Sequence, residues 1–148
     1  MIRWFLNRRA QNKLSRQASP SQHQALLDAS SMLGMQLLGT DRRNLERNPA
    51  FNNSFSRGYV FGFLGASLHN AGLESESMSG SLNLSKLGHA YLFNGNALLA
   101  GKFATRSLAL LLDKDEAFSQ GAELGFDEFM SSVYKGIMAQ GLYNNLRN

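Results

Sequence analysis

Three histidines and a few clustered carboxylates are the side chains in this sequence able to move protons or hold a metal at neutral pH. His23, His69 and His89 lie far apart, and none belongs to a His-Glu-x-x-His or Glu-x-x-His pattern, the spacings that set metal ligands on one helical face. His69, at the end of the central helix, could serve as base or ligand, but a capping or core role suits it better; with His89 and the serine-rich loop it could line an enzyme's site. Among the acids, Asp113, Asp115 and Glu116 have the look of a helix start, and Asp127 with Glu128 that of a solvated face. A mechanism built on two facing carboxylates therefore has little support. The glycines fall inside helical patterns and are not followed by Lys-Ser or Lys-Thr, which argues against a phosphate-cradling loop. With no cysteine, disulfides, thiolate metal sites and thiol nucleophiles are excluded. No cofactor or metal is implied, and the balance favours a protein that is not an enzyme.

The elements that must position any site are helical. Residues 48–72 form the central stretch: Asn48 is suited to an N-cap, Pro49 to the first helical position, and Gly72 to a left-handed stop. Positions four apart share a ridge, so Phe51, Phe55, Tyr59 and Phe63 form an aromatic row beside a row of Ser54, Gly58, Gly62 and Ala66. Glycine inside a helix costs about 1 kcal/mol relative to alanine. Gly58, Gly62 and Gly65 therefore call for a compensating contact, with a bulky side chain or a close backbone seated in the groove. The apolar run from Tyr59 to Leu68 is far shorter than the roughly 20 residues of a membrane span, so the Gly58-x-x-x-Gly62 spacing is not read as a transmembrane motif.

Elsewhere, Ser19-Pro20-Ser21-Gln22 announces a helix running to Leu38, and residues 39–48 read as a polar turn in which Arg42 and Arg43 are surface residues. The serine-rich residues 73–85 read as a long loop. Ser85 is placed at the start of a helix reaching Phe93, and Asn94-Gly95 as a break between helices in preference to a hairpin turn. Residues 96–112 form a very apolar helix interrupted on one face by Lys102 and Arg106, and a last helix runs from Asp113 or Asp115 through Leu142. The fold expected is all-α, a bundle of about five helices, with residues 1–18 a basic segment and 19–148 one helical domain.

Two phrases suggest an internal duplication. Phe55-Ser-Arg-Gly-Tyr-Val-Phe-Gly-Phe63 and Phe118-Ser-Gln-Gly-Ala-Glu-Leu-Gly-Phe126 share glycines and phenylalanines in register, and each follows a related phrase, Gly34-Met-Gln-Leu-Leu-Gly39 and Gly95-Asn-Ala-Leu-Leu-Ala100. If two hairpins are duplicated, Gly58 and Gly121 meet in one contact. The resulting interaction groove comprises Gly58, Gly62, Ala66, Gly121 and Gly125, with Phe55 and Tyr59 beside them.

The net charge of +4 is unevenly spread: Arg3, Arg8, Arg9, Lys13 and Arg16 are accompanied by no acid in the first twenty residues. This segment admits three readings. Trp4, Phe5 and Leu6 could dock on the bundle and leave the cations solvated; Trp4, Phe5, Arg8, Arg9 and Lys13 could hold an anionic membrane surface; or the cations could contact nucleic acid, which is less favoured without a recognised motif. An acid-rich run at residues 113–128 could attract the basic end, within or between chains.

The leading functional expectation is a helical interaction or oligomerisation module, with a protein partner or a second copy of itself at the glycine groove. A peripheral membrane-associated accessory protein is the alternative, and an enzyme with a site near His69 and His89 the third. The expected location is the cytoplasm, with attachment to a membrane surface under the second reading.

Overall fold

Local capping chemistry sets most of the helix boundaries. The structure, a computed structural model describing residues 2–147, has no strand among those residues. It comprises α1 (Ile2–Arg16), α2 (Pro20–Gln36), a 3-10 turn (Arg42–Arg47), α3 (Ser54–Ala71), α4 (Met78–Leu92), α5 (Ala97–Leu112), α6 (Glu116–Lys135) and α7 (Gly141–Arg147). Ser19 and Gln22 close a reciprocal capping box at the start of α2. Asp115 caps α6 through the Phe118 N–H, and Gly72 ends α3 in the left-handed conformation. Asn94 and Gly95, both at positive φ, join α4 to α5 as a break between helices.

Three boundaries depart from the sequence reading, and seven α-helices stand where about five were expected. The central helix begins at Ser54, because Asn53 and not Asn48 supplies the cap, accepting from the Ser56 N–H at 2.9 Å. Asn48 instead closes a turn onto the Ala50 N–H. Phe51 consequently leaves the aromatic row and enters a separate cluster with Phe93 and Phe103, under the Arg57 guanidinium. Serine-rich residues 78–85 are helical: Ser77 caps the Gly80 N–H, and Leu84 and Leu87 on that helix are buried. Burial of the leucine face outweighs the few tenths of a kcal/mol that each serine costs in a helix. Finally, α6 stops at left-handed Gly136 instead of continuing to Leu142, and residues 137–140 lead into α7.

The core forms where α2, α3, α4 and α5 converge, around Leu26, Leu33, Phe63, Leu64, Leu87 and Leu92. On α5 the buried Ser107 hydroxyl makes no hydrogen bond. An unpaired buried hydroxyl costs about 1–3 kcal/mol, so Ser107→Ala should stabilise the protein by about 1 kcal/mol. Urea denaturation measures this, and a destabilised variant would mean that the hydroxyl is satisfied in solution.

Candidate functional site

The glycine groove is filled from within the chain. A Cβ on Gly58 or Gly62 would stand 2.0 Å from the carbonyl oxygen of Phe118 or Ala122; a Cβ on Gly121 or Gly125 would stand 2.0 or 2.2 Å from that of Phe55 or Tyr59. The contact is reciprocal, and numbering rises together on both sides, so α3 and α6 run parallel with their backbones touching. Four carbonyls occupy the places of four missing side chains, where Cα–H groups can approach them closely. Ala66 is buried farther along α3, whereas Gly65 has no atom within 4 Å of its absent Cβ and takes no part. A partner chain has no access to the crossing while α6 occupies it.

Tyr59 is also the hub of a buried polar network. Its hydroxyl donates to Glu128 Oε1 at 2.5 Å and accepts from Gln36 Nε2 at 3.0 Å. Burial, with the Glu128 bond adding to it, pushes the phenol well above its ordinary range, so Tyr59 acts as a neutral donor. Glu128 Oε1 also accepts from the Gln140 and Gly141 N–H groups, and Gln36 Oε1 from those of Leu142 and Tyr143. The first turn of α7 is thereby satisfied by side chains on two other helices. The geometry is that of a structural clasp.

The histidines are likewise held by local partners. His23 Nε2 donates to the Ser15 carbonyl and its Nδ1 accepts from the Tyr91 hydroxyl, tying the end of α1 to α2 and α4. His69 is exposed and lies 2.8 Å from Glu74. His89 is buried and donates from Nδ1 to the Ser85 carbonyl at 2.7 Å. Burial lowers its pKa from 6.5 to about 4, the Ser85 bond opposing this and the Arg57 charge adding to it. Because the folded value is the lower one, the stability tied to neutral His89 is complete above pH 6.5 and is lost as pH falls toward about 4. That loss should amount to about 3 kcal/mol. Urea unfolding at pH 7 and 4.5 should show a smaller pH effect in His89→Gln than in wild type; equal pH effects would remove His89 from the account.

The exposed surface of α1 is of a different kind. This helix docks through Asn7, Ala10, Gln11 and Leu14 against α4 and α5, and Asn7 Oδ1 accepts the Leu98 N–H at the start of α5. Positions three and four apart lie on one helical face, so docking by these residues turns the others outward. Ile2, Trp4 and Phe5 are 79%, 61% and 62% exposed, and Leu6 is exposed with them. This overturns the reading in which Trp4, Phe5 and Leu6 pack on the bundle: Asn7, Ala10, Gln11 and Leu14 hold the helix there, and the apolar residues at its start stay in solvent. Arg8 lies over the Trp4 ring at 5.3 Å, and Arg9 and Lys13 are exposed beside it.

The face continues onto α5, which the sequence alone did not reveal. Leu98 lines both a depression of about 860 Å³ with Trp4, Phe5, Arg9 and Lys13 and an adjoining one of about 560 Å³ with Lys86, Lys102 and Arg106. Lys102 and Arg106, four residues apart on an otherwise apolar helix, were the available signal; that α1 lies alongside is a tertiary fact. No carboxylate lines either depression. None of these cations forms an ion pair within 4 Å among the described residues.

A second apolar feature, a groove of about 450 Å³ lined by Met32, Met35, Leu38, Met138 and Tyr143, carries no charged residue. Among the described residues no helix is long and apolar enough to cross a membrane. No known protein family, curated protein or solved structure matches the chain.

Proposed function

We propose that the protein attaches peripherally to an anionic membrane surface through the face formed by α1 and α5. One observation carries this reading: Ile2, Trp4, Phe5 and Leu6 stand in solvent on a helix whose charged residues are all cations. Tryptophan and phenylalanine gain by entering the headgroup region, while arginine and lysine gain from anionic lipid at the same depth. Nucleic acid would engage the cations as well, but its phosphates give no reason for exposed Ile2, Leu6 and Leu98.

The experiment uses Trp4, the chain's one tryptophan, as its own reporter. Titration with vesicles containing phosphatidylglycerol should shift its emission to the blue, and vesicles of phosphatidylcholine alone should not. High salt should reverse binding in proportion to its electrostatic share. Unchanged emission, or salt-sensitive binding to duplex DNA with none to vesicles, would sink the reading.

Association through the glycine groove loses its support, since α6 already fills that groove. The reading of two duplicated hairpins keeps part of its own: the reciprocal contact supports a local twofold relation between residues 55–63 and 118–126. The upstream phrases do not extend it, because residues 34–39 close one helix whereas 95–100 open another. No observation favours a site built on His69 and His89.

A further inference from the structure

The outward faces of α1 and α6 are opposite in charge and alike in spacing. On α1, Phe5, Arg9, Asn12 and Arg16 follow one another at four, three and four residues, and all are exposed. On α6, Glu116, Gln120, Glu123 and Asp127 repeat those intervals and are also exposed, on the side away from Gly121 and Gly125. At 1.5 Å per residue each stripe is about 16 Å long. Within one molecule they do not meet, because α1 is held against α4 and α5. The ion pairs among the described residues are Arg43 with Asp41 and His69 with Glu74, so neither stripe finds a counter-charge within 4 Å.

We propose that α1 of one copy docks antiparallel on the outward face of α6 of a second copy. That direction sets Arg9 beside Glu123 and Arg16 beside Glu116, opposes the two helix dipoles favourably, and turns the Trp4 end of α1 toward the end of α6, where Val133 and Tyr134 are exposed about 9 Å beyond Asp127. In the opposite direction Arg9 would meet Gln120, and of the two arginines Arg16 alone would meet an acid, Asp127. The contact is head-to-tail, with one α1 and one α6 face per copy, so it propagates to a ring or an open chain. It uses the α1 face assigned above to the membrane, so the two engagements exclude one another; the association itself does not depend on the membrane reading.

Sedimentation velocity over a range of protein concentrations tests this. At about 0.05 M salt the wild type should gain mass with concentration, and at about 0.5 M, where surface charges are screened beyond a few ångströms, it should return to monomer. Arg9→Glu/Arg16→Glu and Glu123→Arg/Asp127→Arg should each be monomeric alone, and their equimolar mixture should assemble again, because each restores the charge the other reverses. Circular dichroism confirms that both variants are folded, which is expected at exposed positions. A wild type that stays monomeric throughout, or either variant assembling like wild type, would overturn the proposal. The α6 variant leaves α1 intact, so it should still bind anionic vesicles. Assembly without vesicle binding would end the membrane reading alone, and vesicle binding without assembly this one alone.

Discussion

Alanine at Gly62 should destabilise the protein by about 3 kcal/mol, whereas alanine at Gly65, three residues on in the same helix, should stabilise it by about 1 kcal/mol. The new methyl at position 62 would stand 2.0 Å from the Ala122 carbonyl oxygen, and the obstacle is backbone, which cannot rotate away as a side chain would. Accommodating it means parting α3 from α6 along a contact that also holds Gly58, Gly121 and Gly125. At Gly65 nothing lies within 4 Å, so the substitution merely recovers helix propensity. Urea denaturation of the two variants beside wild type decides the matter. Similar changes in both would mean that the backbone contact is not kept in solution. Native domains are stable by only about 5–15 kcal/mol, so a larger residue such as leucine at 62 should leave little folded protein.

Removing Arg9, Lys13 and Arg16 together as alanines should weaken binding to phosphatidylglycerol vesicles roughly a hundredfold, since each cation near an anionic surface contributes about 1 kcal/mol. These side chains are exposed and unpaired, so global stability should change by less than about 0.5 kcal/mol. Vesicle sedimentation at low and high salt checks it, and the difference between variant and wild type should shrink as salt rises. Unaltered affinity would place the binding surface elsewhere, and unfolding would show that the cations contribute to the fold.

Local chemistry was readable wherever a residue bonds within a turn of itself. The Ser19 capping box, the Asp115 cap, the left-handed Gly72 and the break at Asn94-Gly95 all rest on contacts between near neighbours, which a linear string records. The glycine spacing in α3 also predicted a close neighbour, because the propensity lost there needs an offset. That the neighbour is α6, fitted reciprocally and in parallel, came from the structure.

Other features escaped the sequence because distant groups settle them. Residues 78–85 look like a loop until Leu84 and Leu87 are buried, and α6 looks continuous until Glu128 and Gln36 gather the amides at the start of α7. The candidate surface divides the same way. The sequence by itself determined that the first helix would be cationic and aromatic, since composition travels with the chain. Only the tertiary structure decided which side of that helix faces out: Asn7, Ala10, Gln11 and Leu14 found partners on α4 and α5, and the aromatic side chains were left in water.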